Sequence, residues 1–216
     1  MESRKEELDD GSFTFLRDEG RRINEYRPPA QIQPTLRTAR LVLRPFVECD
    51  AAEIARIFAP WEMAAMTRTI PHPYSLADAQ AFLVRVKDVW AAGTSAVFAV
   101  VHNQSGALVG SIGLTIDSID LRAEVGYSVD VRSWGKGYAS EAVVEIVRFS
   151  FEELGLRKVT AHYTPLNPAS ARVLEKAGFI IEGRLRKQGN RWGQACDLIV
   201  VGLLREEWRR GEQAEH

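Results

Sequence analysis

The segment over residues 129–140 constrains the fold of this chain more than any other. An alternating apolar run, typical of a strand, ends there in the pattern Arg132-x-x-Gly135-x-Gly137-x-Ala139, and a run with helical spacing follows. Glycines at such a junction permit a tight turn and bring backbone N–H groups close to an outside ligand. The first amides of a helix have no partner within the helix and lie at the positive end of its dipole. The pattern therefore predicts an anion site suited to a pyrophosphate, with glycines used only for packing as the alternative.

Two familiar phosphate-binding motifs do not fit this turn. A Walker A loop is excluded, because no glycine lies five residues before Gly135 and no Lys-Ser or Lys-Thr pair follows it. A dinucleotide-binding fold is disfavoured, because its glycine turn belongs to the first strand–helix unit. In this chain the turn follows two predicted helices and three antiparallel-looking strands.

Hydrophobic periodicity and turn residues predict one α/β (α+β layered) domain, with helices packed on a mixed sheet. Asp50 and Glu53 resemble a capping box before the first helix, and Ser75 is the predicted N-cap of the second helix, which ends at Gly93. The predicted strands cover residues 40–46, 96–101, 107–116, 122–131, 158–163, 179–186 and 195–204, and the two later helices cover 136–154 and 168–177.

The composition changes at residue 34. Residues 1–34 are polar and contain Pro28, Pro29 and Pro34, so they are expected to form an N-terminal arm and linker with little core of their own. The domain itself is expected over residues 35–210, followed by a C-terminal tail over 211–216.

The charge and the cysteine content exclude several classes of protein. With 28 Lys and Arg against 29 Asp and Glu, the chain lacks the basic excess of a nucleic-acid binder. The longest apolar stretch near the C-terminus is far shorter than the roughly 20 residues that cross a bilayer, and the N-terminus lacks the apolar segment of a signal peptide. Cys49 and Cys196 predict neither a disulfide framework nor a zinc site and are expected to be small buried residues. A cytoplasmic protein with no nucleic-acid or membrane partner is expected.

Three motifs, in order along the chain, resemble those of the GCN5-related N-acetyltransferase (GNAT) superfamily. They are the strand Ala123-Glu-Val-Gly-Tyr127, the Arg-x-x-Gly-x-Gly-x-Ala turn, and the segment Asn167-Pro-Ala-Ser-Ala-Arg-Val-Leu-Glu-Lys-Ala-Gly-Phe179. The segments over 36–46 and 204–208 are similar to those that open and close the branch containing the ribosomal-protein N-terminal acetyltransferases. The resemblance covers about residues 35–210. It implies a mostly antiparallel sheet with splayed fourth and fifth strands and about four flanking helices.

The resemblance also implies acetyl-CoA as the acyl donor and no metal. The pyrophosphate would lie on the backbone amides at the helix start. The pantetheine would pair like an extra strand with the end of the preceding strand, where the fourth and fifth strands splay apart. The residues implied in binding are Val129, Val131, Arg132, Gly135, Lys136, Gly137, Tyr138, Ala139, Ser140 and Asn167.

Direct attack of the amine on the thioester is the family reaction, so no nucleophilic Ser or Cys is required. Glu124 is the candidate base, acting directly or through a water, and orienting the amine is its alternative role. Asn167 is expected to contact the pantetheine or an ordered water, and Ser170 to donate to the departing thiolate. A local role at the helix entry is the alternative for both. Other branches carry a tyrosine acid seven residues after the Asn, where this chain has Leu174.

The acceptor is the least determined part of the reaction. In family members the region between the first two helices lines the acceptor cleft, so the candidate substrate-binding residues are Trp61, Met66, Tyr74 and Glu124, with a core role as the alternative for the first three. The four histidines show no metal-ligand spacing. The branch implies the N-terminal α-amine of a protein or peptide as acceptor. The alternatives are a small amine (an amino acid, a polyamine or an aminoglycoside-like compound) and a non-catalytic acetyl-CoA-binding protein. Homodimers are common in the branch, so a homodimer is also considered.

Overall fold

The computed structural model describes residues 4–7, 13–16, 22–27, 30 and 32–208. Its N-terminal part forms a small antiparallel sheet of three strands, β1 (Arg4–Glu7), β2 (Phe13–Leu16) and β3 (Arg22–Tyr26). The sequence analysis predicted an arm and no strands in this segment. The predicted tail over residues 211–216 lies outside the described residues.

Eight further strands form the central sheet: β4 (Leu36–Arg37), β5 (Leu41–Arg44), β6 (Ser95–His102), β7 (Leu108–Asp117), β8 (Arg122–Val129), β9 (Lys158–Tyr163), β10 (Ile180–Arg191) and β11 (Gln194–Leu204). Their order across the sheet is β10-β11-β9-β8-β7-β6-β5-β4. Each neighbouring pair is antiparallel except β8 and β9, which are parallel.

The sheet opens between β8 and β9. The two strands pair over three positions, from Arg122 opposite Lys158 to Glu124 opposite Thr160. In these two fully described strands the pairing ends at Glu124, although β8 continues to Val129. This is the predicted splay of the domain's fourth and fifth strands, and the α/β fold with a mostly antiparallel sheet is confirmed.

Helices cover both faces of the sheet. They are α1 (Ala51–Phe58), α2 (Trp61–Met66), α3 (Leu76–Ala91), α4 (Tyr138–Glu152) and α5 (Pro168–Lys176), with short 3₁₀ turns at Glu48–Asp50 and Val131–Ser133. The sequence analysis missed α2, because six residues are too few to show helical periodicity. It also predicted Cys49 to be buried, which is wrong, because Cys49 lies in the first 3₁₀ turn and is exposed.

Side chains alternate along each strand, so the two faces of the sheet carry separate cores. On β6, Phe98 and Val100 pack in the core that contains Ile146 of α4. The alternate residues Ala99 and Val101 pack in the core formed by α1 and α3. The helix that follows the glycine turn therefore lies on one face of the sheet, and the segment around α2 lies on the other.

The two predicted helix caps have different outcomes. Ser75 caps α3 as predicted: its Oγ accepts a hydrogen bond from the Asp78 N–H at 3.2 Å, and the Asp78 carboxylate accepts one from the Ser75 N–H at 2.8 Å. The predicted capping role of Asp50 is wrong. Its buried carboxylate accepts two hydrogen bonds from the Arg44 guanidinium, both at 2.8 Å, because a buried charge needs a charged partner.

Candidate functional site

A cleft of about 470 Å³ lies where β8 and β9 separate. Its walls come from β7, β8, β9, the first turn of α5 and the chain that follows α2. Four of the predicted site residues line it: Met66, Glu124, Asn167 and Ser170. The structure thus brings the three predicted catalytic residues to one cavity.

Glu124 lies at the closed end of this cleft, at the last paired position between β8 and β9. One of its carboxylate oxygens is 3.0 Å from Nδ1 of His162, which lies two residues beyond its pairing partner Thr160. The two side chains are 46% and 24% exposed, so both remain accessible from the cleft. The sequence analysis excluded His162 as a metal ligand and gave it no other role; the pairing of strands distant in sequence brings it to Glu124.

Ser170 is held by a tyrosine from the neighbouring strand. Its Oγ is 2.8 Å from the phenolic oxygen of Tyr127, and both residues line the cleft. Burial raises the pKa of Tyr127 to about 12 against a smaller lowering by the Ser170 hydrogen bond, so the phenol stays protonated at neutral pH. The sequence analysis gave Tyr127 no site role.

Asn167 has the local role that the sequence analysis kept as its alternative. Its side-chain oxygen accepts the Ser170 N–H at 3.1 Å and thereby caps α5. Its amide nitrogen donates to the carbonyl of Met66 at 3.4 Å, across the cleft. Asn167 therefore fixes the first turn of α5, and with it the position of Ser170.

The glycine turn has the geometry that its sequence predicts. Gly135 and Gly137 adopt positive φ values of 74° and 80°, which other residues reach only with strain. The first backbone hydrogen bond of α4 runs from Glu141 to Gly137, so the amides of residues 138–140 have no carbonyl within the helix to bind. No side chain caps this helix start. These backbone amides, with exposed Arg132 and Lys136 beside them, fit a pyrophosphate.

Arg40, which the sequence analysis did not select, holds the turn in place. Its guanidinium donates to the Lys136 carbonyl at 3.0 Å and to the Glu141 carboxylate at 2.7 Å. It also lies 5.0 Å from the centre of the Tyr138 ring. Burial would raise the pKa of Glu141, but hydrogen bonds from Thr38 and Arg40 outweigh it and lower that pKa. Arg40 thus adds a positive charge beside the amides and fixes the loop that carries them.

The end of β8 differs in one respect from the expected pantetheine site. The Val129 carbonyl accepts a hydrogen bond from Nε1 of Trp134 at 2.7 Å, and the Val131 carbonyl accepts the Trp134 N–H at 3.2 Å. Asp130 between them is buried and paired with Arg56 at 2.9 Å. A pantetheine that pairs with this stretch must therefore share the Val129 carbonyl with the indole or displace it.

The other predicted acceptor residues lie outside the lining of the cleft. Trp61 stacks on Trp192 of the β10–β11 hairpin with a centroid distance of 4.3 Å, and its edge meets His72 at 5.2 Å. Tyr74 packs against Phe58 at 5.3 Å in the core under α1 and α3. Met66 is the predicted apolar residue that does line the cleft.

A family of known proteins matches this chain over most of the domain. The sequence model described as an acetyltransferase (GNAT) domain matches residues 40–180. The chain belongs to the GNAT acetyltransferase family. The predicted resemblance is confirmed, and the protein is an N-acetyltransferase.

Individual relatives agree with this family. An uncharacterized N-acetyltransferase of Bacillus licheniformis, p20, is 29% identical over 175 residues, which cover 81% of this chain and 98% of that protein. The structure of the ribosomal-protein-S5-alanine acetyltransferase from Vibrio fischeri matches with a TM-score of 0.72 at 23% identity, over 82% of this chain and 99% of that one. The microcin C7 self-immunity acetyltransferase MccE, solved in complex with acetyl-CoA and AMP, matches with a TM-score of 0.73 at 15% identity. The match covers 77% of this chain and 93% of that one. The two structures show a shared GNAT fold, and one of them binds acetyl-CoA.

The described residues contain neither a membrane-spanning helix nor a cluster of metal ligands. None of their helices is both long enough and apolar enough to span a bilayer. They contain no group of three or more His, Cys, Asp or Glu side chains placed to hold a metal ion.

Proposed function

We propose that this GNAT acetyltransferase transfers the acetyl group of acetyl-CoA directly to the N-terminal α-amine of a protein or peptide. The observation that carries the proposal is the splay of β8 and β9, which leads from the glycine turn at one end to Glu124 at the other. An elongated thioester bound along this line would place its phosphates on the helix amides and its acyl group in the cleft. The likeness to a ribosomal-protein-S5-alanine acetyltransferase supports a protein α-amine.

The charge of the cleft favours an acceptor with one amine over a polyamine. Among the lining residues that the structure describes, Glu124 is the single carboxylate, and Arg68 adds a positive charge. A polyamine carries several positive charges and needs several carboxylates to bind them. One carboxylate beside the acyl group suits the ammonium of a single α-amine.

Acetyl-CoA would be held mainly by backbone atoms of this chain. The amides of Tyr138, Ala139 and Ser140 face the pyrophosphate, with Arg132 and Lys136 adding charge and Gly135 and Gly137 giving the turn its shape. The backbone of 129–131 would lie beside the pantetheine. When bound, acetyl-CoA supplies the activated acetyl group as a thioester.

The two ends of the cleft would take part in different steps of the reaction. At the closed end beside Glu124, called the apex below, the amine loses its proton and attacks the carbonyl carbon of the thioester. At the first turn of α5, the Ser170 hydroxyl donates a hydrogen bond to the sulfur as the carbon–sulfur bond breaks. The Tyr127 phenolic oxygen lies 2.8 Å from Ser170 Oγ, and when the phenol donates its hydrogen to that oxygen, the Ser170 hydrogen is available for the sulfur.

A thiol-release assay with acetyl-CoA and a panel of amines tests the proposal. The panel contains short peptides with unblocked N-termini, the same peptides with formylated N-termini and one internal lysine, spermidine and an aminoglycoside. We expect release of CoA with the unblocked peptides, and mass spectrometry should place the acetyl group on the α-nitrogen. Turnover of spermidine or the aminoglycoside with none for any peptide would instead establish the small-amine alternative.

A further inference from the structure

We propose that His162 is the residue that takes the proton from the acceptor ammonium, with Glu124 as the positioning residue for its imidazole. The juxtaposition that carries this inference is the 3.0 Å contact between His162 Nδ1 and a Glu124 carboxylate oxygen at the closed end of the cleft. The inference rests on the proposed amine acetylation and adds which atom accepts the proton.

The contact determines which imidazole nitrogen can act as a base. A carboxylate can only accept a hydrogen bond, so Nδ1 carries the hydrogen and Nε2 keeps its lone pair. Within the described part of the chain the imidazole makes one hydrogen-bonding contact, the one with Glu124. His162 lines both the cleft and the adjoining groove and its side chain is 24% exposed, so a bound amine can approach the imidazole.

The charged groups around the pair leave Glu124 as the carboxylate that faces His162. In the adjoining groove, Lys158 holds Glu182 at 2.6 Å, and Arg122 holds Asp117 at 3.0 Å. On the cleft side, the other charged residue that lines the cavity is Arg68. Two of the three carboxylates near this site are thus neutralised by their own cations, and Glu124 remains to stabilise the imidazolium that forms.

An imidazole also suits the task better than a carboxylate. An ordinary imidazole titrates near 6.5 and an ordinary glutamate near 4.3, and proton transfer is most efficient for a base that titrates near the working pH. A Glu–His pair in which the carboxylate orients the ring and stabilises its charged form therefore gives a stronger base at neutral pH than the carboxylate alone.

The protons and bonds balance in this scheme. His162 Nε2 takes one proton from the ammonium and later releases it to water. The neutral nitrogen forms a bond to the carbonyl carbon, and the carbon–sulfur bond breaks as the intermediate collapses. The second proton lost by the nitrogen ends on the sulfur, so the products are the amide and CoA thiol.

The test compares His162→Asn with Glu124→Gln, using the best amine found in the panel. The Asn side-chain nitrogen can replace Nδ1 as the donor to Glu124 but offers no base, so kcat should fall by about 10²–10⁴-fold. The Kd for acetyl-CoA should stay within about twofold, and the acid limb of the kcat–pH profile should disappear. Glu124→Gln should lower kcat by a smaller factor, because the imidazole keeps its basic nitrogen and loses only the carboxylate that orients the ring.

Glu182→Gln is the matched control. It makes the same carboxylate-to-amide change in the adjoining groove, and it should keep the wild-type rate and pH profile. The assignment is overturned if His162→Asn keeps the wild-type rate and pH profile, or if Glu124→Gln loses more activity than His162→Asn, since Glu124 is then the base. If the wild-type protein acetylates no amine, the proposed function fails and this assignment fails with it.

Discussion

The glycine turn and the apex of the cleft lie at the two ends of the same strand, β8, and are built in different ways. The turn is local: Gly135, Gly137 and the first amides of α4 lie within six residues, and the atoms proposed to bind the pyrophosphate belong to the backbone. The cleft, from its apex at Glu124 to Ser170 at the first turn of α5, is assembled from side chains on separate elements. Glu124 meets His162 from β9, and Tyr127 meets Ser170 from α5. This difference predicts that changes at the turn affect binding of acetyl-CoA, whereas changes at the apex affect turnover.

Removal of the Ser170 hydroxyl should give the largest of the following effects. In Ser170→Ala the departing sulfur loses a hydrogen bond made as its charge develops, which is worth about 1.5–3 kcal/mol, or about 10–150-fold in kcat. The Kd for acetyl-CoA should remain near the wild-type value. Steady-state kinetics with calorimetric titration measure both quantities.

Ser150→Ala is the matched control for this change. The Ser150 hydroxyl is buried in α4 and donates to the Ile146 carbonyl at 2.7 Å, away from the cleft. It should change thermal stability and leave kcat unaltered. An unchanged kcat in Ser170→Ala would remove Ser170 from the chemistry and leave it a purely structural residue.

Substitution of Gly137 should weaken the binding of acetyl-CoA at the glycine turn. Ala at a φ of 80° costs about 1–2 kcal/mol, so Gly137→Ala should weaken acetyl-CoA binding by about 5–30-fold as the turn relaxes. At saturating acetyl-CoA the rate should approach that of the wild type. Gly183→Ala, at a glycine without positive φ and with space for a Cβ, serves as the control and should bind normally. A fall in kcat with unchanged binding of acetyl-CoA would contradict the claim that the turn affects binding and the cleft affects turnover.

Loss of Arg40 should have a smaller effect of the same kind. Arg40→Gln removes a cation that holds the Lys136 carbonyl and pairs with Glu141. A hydrogen bond of this kind contributes about 0.5–1.5 kcal/mol, so the Kd for acetyl-CoA should rise about 2–10-fold. Arg184→Gln breaks a comparable pair with Asp197 on the β10–β11 hairpin and should leave the Kd unchanged. Equal losses in the two variants would show that Arg40 has no particular role at the turn.

The smallest effect on activity is expected at Asp50, which lies away from both ends. Burial would raise the pKa of Asp50, but hydrogen bonds from Arg44 and the Val47 N–H outweigh it and hold that pKa below its ordinary value. A lowered folded-state pKa adds stability above the unfolded value near 3.9, and this stability is lost as the pH falls further. Asp50→Asn should therefore lower Tm at neutral pH and weaken the pH dependence of Tm below about pH 4. Differential scanning calorimetry measures this, and an altered kcat or Kd would contradict it.

The difference between a local turn and a cleft assembled from distant elements also explains which features the sequence could predict. The turn was predictable because its glycines, charges and helix start are contiguous, and the Ser75 cap was predictable for the same reason. The partners of Glu124 and Ser170 depend on which strands and helices lie side by side. Spacing along the chain does not contain that information, so the sequence analysis assigned no role to His162.

Local interactions also limited the prediction at the end of β8. The family resemblance implied that the backbone of 129–131 pairs with pantetheine, but Trp134 folds back and donates a hydrogen bond to the Val129 carbonyl. No periodicity reveals an indole that returns to the backbone five residues earlier. The strands β1–β3 were missed because their segment is as polar as a linker and contains prolines at its end.

The central claim is that acetyl-CoA is bound at the turn independently of the groups that perform the chemistry at the apex. Calorimetric titration of the Glu124→Gln variant with acetyl-CoA tests it most directly, beside the wild-type protein and at neutral pH. The account predicts a Kd within about twofold of the wild-type value in a variant whose kcat is clearly reduced. A loss of acetyl-CoA binding that matches the loss of turnover, or no binding by the wild-type protein, would contradict it.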